Sequence, residues 1–162
     1  MQNVKVGLVG AGTIGMRHIQ AIDALKEISL VAIADPSPTV EGLVAKRAIP
    51  LYKEAKTMFE AGKLDAVIVA VPTNHHYDIV MNALNHHLTV LVEKPITATI
   101  EEARKVTRFA YKQGCQVLVG HQRRYYPCTK TAKEIIHSGR IGTLMAINGQ
   151  WTVRKDSQYY EP

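Results

Sequence analysis

The chain has 162 residues, 46% hydrophobic and 21% charged, with ten aromatics and two cysteines, a composition that fits a globular protein and excludes collagen, coiled coil and disordered tail. A chain of this length buries roughly 70% of its unfolded surface, enough for one good-sized domain, or one domain and part of another, without disulfides or metal. The net charge of +6 is unevenly placed, since residues 1–99 carry nine basic and nine acidic groups whereas residues 100–162 carry eleven basic, five acidic and seven of the aromatics.

The later part is therefore expected to meet something anionic. Basic groups with aromatic faces suit nucleic acid, and a solvated basic face is the bland alternative. Cys115 and Cys128 are too few for a disulfide framework and too isolated for zinc, which fits a reducing compartment. No apolar run approaches the roughly 18 residues of a membrane helix, and the N-terminus has no signal-peptide pattern. The expectation is a cytoplasmic protein without a membrane partner.

In chain order, the apolar runs Val4–Val9, Leu30–Ala34, Ala66–Val71, Leu88–Val92 and Val117–Val119 read as strands buried on both faces of a parallel sheet. Between them lie helical segments. Ile14, His18, Ala21, Ile22 and Leu25 form one stripe of a first helix, and Tyr77–His87 reads as another. Thr99 and Glu102 have the spacing of a capping box for a helix that Gly114 closes, and Pro127–His137 has proline in its first turn and Gly139 beyond its end. Repeated strand–helix–strand spacing predicts an α/β fold, a doubly wound, mostly parallel Rossmann sheet. Leu144–Val153 reads as a further strand opening a second α/β domain. The domains are placed at 1–122 and 123–162, the latter as a linking helix and first strand.

Val6–Val9 leads into Gly10-Ala11-Gly12-Thr13-Ile14-Gly15. In a G-x-G-x-x-G between strand and helix, the first glycine makes a tight turn, the second admits a pyrophosphate and the third lets helix and strand approach. The helix N-terminus then offers N–H groups to phosphate. Asp35 ends the second apolar run 20 residues after Gly15, the place of a ribose-binding acid. A carboxylate there accepts from a ribose diol and repels a 2′-phosphate, which favours NAD over NADP. Pro36, Ser37 and Pro38 follow it with no arginine.

Val71-Pro72-Thr73-Asn74-His75-His76 ends the third run and Glu93-Lys94-Pro95 the fourth, both on the ligand-binding edge of such a sheet. With the glycine loop followed by His18, with Asp35, with Pro72 and His76, with Glu93-Lys94-Pro95 and with Gly120–Pro127 containing Arg123-Arg124, the chain resembles the Gfo/Idh/MocA family, the glucose–fructose oxidoreductase, inositol dehydrogenase and rhizopine-catabolism group. The resemblance implies an NAD(P)-dependent dehydrogenase acting on a sugar, cyclitol or related diol. It makes Lys94 catalytic, as the group that hydrogen-bonds the hydroxyl or carbonyl being interconverted, puts Glu93 on the cofactor side or behind it and makes Pro95 cis. The cofactor-binding set is then Gly10, Gly12, Thr13, Ile14, Gly15, Asp35, Val71, Pro72, Thr73, His76, Glu93, Lys94, His121 and Arg123, with no metal. The family's remaining catalytic residues are expected beyond Pro162, so that the chain is read as a cofactor-binding piece that is inactive alone. A homo-oligomer is expected through the second domain. Trp151, Arg154, Lys155 and Tyr159 point to an anionic small-molecule substrate, such as a carboxylated cyclic diol, and no nucleic-acid partner is then expected. A noncatalytic dinucleotide-sensing module is the alternative.

Two further patterns are set aside. Tyr126-Pro127-Cys128-Thr129-Lys130 matches Y-x-x-x-K, but that pair needs an uninterrupted helix and Pro127 belongs at a helix start. Adjacent histidines such as His75-His76 and His86-His87 lack metal-ligand spacing, and the second pair suits a helix C-terminus.

Overall fold

A computed structural model describes residues 3–154 and 156–157. Six parallel strands form its sheet: β1 (Val4–Val9), β2 (Ile28–Ala34), β3 (Leu51–Tyr52), β4 (Ala66–Val69), β5 (Thr89–Glu93) and β6 (Val117–Gly120), in the order β3-β2-β1-β4-β5-β6. This is the order of a Rossmann sheet, with its switch point between β1 and β4. The helices are α1 (Thr13–Asp23), α2 (Glu41–Arg47), α3 (Ala55–Glu60), α4 (His76–Asn85), α5 (Ile100–Gln113) and α6 (Pro127–His137).

Alternate strand residues feed two cores. Leu8, Ile33 and Ile68 pack with Ile19, Ile22 and Val44 of α1 and α2, whereas Val67, Val69, Val90 and Val92 pack with Met58, Val80, Leu84 and Val106 of α3, α4 and α5. That division explains the unbroken apolar runs, because each strand is covered on both faces. The α1 stripe is rotated from the sequence reading: Gly15, Ile19 and Ile22 are buried, and Ile14 and Leu25 are exposed. A Cβ on Gly15 would run into the Gly10 carbonyl oxygen, so the glycine contact sets which face of α1 meets the sheet. Arg47, at the end of α2, grips both oxygens of Asp23, at the end of α1, and holds that exposed carboxyl below the usual carboxylate range.

Thr99 caps α5 as its sequence implies, with its hydroxyl accepting from the Glu102 N–H and the Glu102 carboxylate accepting from the Thr99 N–H, and Gly114 terminates the helix in the left-handed region. β3, α2 and α3 are absent from the sequence reading. All three are short, and β3 has two residues, below any detectable period.

The chain divides into two units, Met1–His121 and Gln122–Pro162. In the second, α6 begins at Pro127, and the Arg123 guanidinium carbon stands 4.0 Å from the centre of the Trp151 ring. Residues 144–153 form no strand, contrary to the sequence expectation. Among the described residues no strand pairs with this segment, and a strand needs a neighbour to take its N–H and C=O groups. Met145 and Ile147 are accordingly exposed. Lys155, Tyr159, Tyr160, Glu161 and Pro162 lie outside the described residues.

Candidate functional site

β1 delivers the glycine loop to the carboxyl edge of the sheet at the switch point. Gly10 has φ 88°, and a Cβ there would lie 2.6 Å from the Ala70 oxygen, so both backbone conformation and the close approach of β4 require glycine. Gly12 differs: a Cβ on it would meet nothing within 4 Å. It is the residue before α1, and no side chain caps that helix nor does an acid stand in its first turn. The N–H groups of the first turn, at Thr13, Ile14 and Gly15, are therefore neither capped by a side chain nor countered by an acid of that turn, and the glycine before them leaves open space. Such a cradle fits a diphosphate.

The carboxylate of Asp35, just past β2, is oriented by two backbone donors: Ala11 N–H to Oδ2 at 2.7 Å and Ser37 N–H to Oδ1 at 2.8 Å. Its half-buried position leaves the remaining lone pairs free for a ribose diol. Asp35 thus also ties the glycine loop to the end of β2, a contact the spacing alone did not reveal. A cleft of about 800 Å³ opens here, with Gly12, Asp35, Pro36, Lys53, Val71 and Pro72 among its walls. Lys53, unremarked in the sequence, arrives through the short strand β3. Thr73 follows in a single 3-10 turn, Thr73–His75, that leads into α4.

Lys94 directly follows β5 and is exposed, and the peptide bond from it to Pro95 is cis. Its ammonium makes no hydrogen bond or ion pair among the described residues, while its backbone N–H donates to Glu93 Oε2 at 3.3 Å. Glu93 is itself fixed from α1: His18 Nε2 donates to its Oε1 at 2.9 Å. His18 was expected as a packed apolar-stripe histidine; the rotation of α1 turns it toward this carboxylate instead. A Cβ on Gly120 of β6 would fall 2.9 Å from the same Oε1, so the glycine makes room for Glu93.

Three predicted site residues remain. His76 is 1% exposed, and both ring nitrogens face backbone carbonyls. Expected among the cofactor-binding residues, it places its ring between the carbonyls of two loops. His121 is exposed, and its backbone N–H donates to Val119. Arg123 belongs to the second unit, stacked on Trp151. Among the described residues no group of three or more metal-ligating side chains is assembled, and no helix is long and apolar enough to cross a membrane.

Residues 4–121 match the model of an oxidoreductase family with an NAD-binding Rossmann fold, GFO_IDH_MocA. The rhizopine catabolism protein MocA of Rhizobium meliloti is 35% identical over 152 residues, which cover 93% of this chain and 48% of that protein. Among solved structures, scyllo-inositol dehydrogenase from Lactobacillus casei, with bound NAD(H) and scyllo-inositol, superposes with a TM-score of 0.81 at 26% identity over 87% of this chain and 43% of its own. The WlbA dehydrogenase from Bordetella pertussis, in complex with NADH and UDP-GlcNAcA, superposes with a TM-score of 0.83 at 26% identity, covering 87% of this chain and 41% of that one. The chain thus spans less than half the length of each of these proteins.

Proposed function

Because the chain belongs to the Gfo/Idh/MocA family of oxidoreductases with an NAD-binding Rossmann fold, we propose that it is the cofactor-binding part of a dehydrogenase that uses NAD to oxidise a secondary hydroxyl of a sugar, a cyclitol or a carboxylated cyclic diol. Bound NAD supplies the hydride acceptor. The first-turn N–H groups of α1 hold its diphosphate and Asp35 accepts from its ribose hydroxyls. The preference for NAD follows from charge, since a carboxylate that welcomes a diol repels a 2′-phosphate.

The observation that carries the chemical reading is Lys94. Its ammonium stands free at the carboxyl end of β5, one strand from the switch point, on a backbone fixed by Glu93 and the Pro95 turn. There it donates to the oxygen of the reacting hydroxyl and stabilises the negative charge that develops on it as the attached carbon gives hydride to NAD and the hydroxyl proton passes to solvent. Removing one such donor costs about 10²–10³ in rate. Glu93, paired with His18, keeps the backbone of Lys94 in place.

The ligands in the two solved relatives, scyllo-inositol and UDP-GlcNAcA, support a sugar or cyclitol, and the basic excess after residue 100 supports an anionic member of that class. The relatives' activities belong to proteins more than twice the matched length, so residues 1–162 alone are proposed to bind NADH without turning substrate over. The test is Lys94→Met in the intact enzyme: NADH affinity stays within about twofold while kcat/KM falls about 10²–10³-fold. Retained activity sinks the assignment.

A further inference from the structure

His76 opens α4, where a helix usually shows its side chains to water, yet it is buried to 1% exposure. Its ring spans two loops: Nδ1 lies 2.8 Å from the Pro95 carbonyl oxygen and Nε2 lies 2.9 Å from that of Val71. These carbonyls belong to the segments leaving β5 and β4, which are paired in the sheet with Val69 opposite Val92. Each segment turns on a proline, Pro72 after Val71 and Pro95 after Lys94, and proline has no N–H to give. The loops are therefore short of donors where the chain leaves the sheet, and imidazole makes up the deficit. Each neutral tautomer donates to one oxygen and only packs against the other, and the imidazolium donates to both; in each form the ring fills the space between the two loops.

The Lys94 ammonium has no partner among the described residues, so its place depends on its backbone. Glu93 holds the N–H side of that backbone, and His76, with the proton on Nδ1, donates to the carbonyl of the next residue. We infer that His76 is a positioning residue for Lys94, fixing the Lys94–Pro95 turn against the cofactor-side loop Val71–Pro72 so that lysine and cleft keep one geometry. The inference rests on the reading of Lys94 as the group that acts on substrate oxygen. A residue that merely filled space would be replaced by any apolar side chain of similar size; a positioning residue is replaced by another donor.

The test uses His76→Leu and His76→Gln in the intact enzyme, with folding checked by thermal melting, together with imidazole-¹⁵N-labelled residues 1–162. NADH affinity is expected within about threefold of wild type in both variants. In His76→Leu kcat falls about 10–100-fold, the scale of a small misplacement of a reacting group, and His76→Gln recovers most of it. Folded His76→Leu with kcat within twofold of wild type overturns the inference. So does a loss of NADH affinity that matches the loss of kcat, or a glutamine variant no better than leucine. If His76→Leu does not fold, the labelled chain decides: a His76 ring N–H, identified by its absence from the His76→Gln spectrum, must exchange with water far more slowly than that of exposed His137, and equal exchange overturns the inference. Wild-type enzyme that reduces no NAD with any sugar or cyclitol sinks the reading of Lys94, while the exchange measurement still judges the His76 contact on its own.

Discussion

Gly12 and Gly15 are three residues apart and serve opposite ends. At Gly15 a Cβ would enter the backbone carbonyl of Gly10, whereas at Gly12 it would enter open space. The account accordingly predicts that Gly15→Ala lowers the melting temperature strongly or prevents folding, because neither backbone can move away cheaply. Gly12→Val leaves the melting temperature within a few degrees, since its φ of −67° suits any residue, yet abolishes NADH binding by filling the cradle. Differential scanning fluorimetry with and without NADH separates the two, and a Gly12→Val chain that is still stabilised by NADH would contradict the assignment of the loop. At this scale the sequence was legible where chemistry is local: the glycine loop and Asp35 announce themselves within a short stretch. It was not legible where partners meet across the fold. His18 and Glu93 are 75 residues apart, and nothing in either neighbourhood points to the other. His76 was recognisable as a site residue only through the resemblance, and its work on two carbonyls depends on loops that the sheet brings together.

Helices and strands were readable in proportion to their length and to the explicitness of their ends. α5 carries a complete capping box and a glycine terminus, and each is read from residues at its own end of the helix. Thr99→Ala is expected to cost about 1 kcal/mol in chemical denaturation, the usual loss for an N-cap hydroxyl, and an unchanged midpoint would show the cap to be idle. α2 instead ends on Ala48, which takes the left-handed conformation at φ 52°, a position where a Cβ is unfavourable. Ala48→Gly should therefore stabilise the fold by roughly 1 kcal/mol; destabilisation would mean that the added freedom of the unfolded chain outweighs the relief. No sequence pattern marked this end, because alanine is a helix former. The α1 stripe was misjudged for a related reason. Several apolar residues compete for the inner face, and the Gly10–Gly15 approach decides among them.

The order of the six strands puts the crevice between β1 and β4, and the loops after β1, β2, β4 and β5 converge at that edge. Continuous apolar runs and right-handed crossovers made this architecture predictable, since few other arrangements bury strands on both faces. The residues after α6 were less legible. Leu144–Val153 reads as a strand from its sequence, but a strand is a property of a pair, and the described residues supply no partner. The same dependence applies to function: the residues proposed to hold diphosphate and ribose lie within residues 1–121, while the substrate is a proposal drawn from Lys94 and from longer relatives.

The most direct test of this account is a calorimetric titration of residues 1–162 with NADH and with NADPH, on wild type and on Asp35→Asn. The variant keeps one acceptor oxygen for the backbone donors and removes the charge. The account predicts wild-type binding of NADH at least about tenfold tighter than NADPH, a difference of about 1.4 kcal/mol, and a narrowed gap in the variant. NADPH binding as tightly as NADH or more so would contradict it, and would make Lys53, in the wall of the same cleft, rather than Asp35, the residue that reads the ribose.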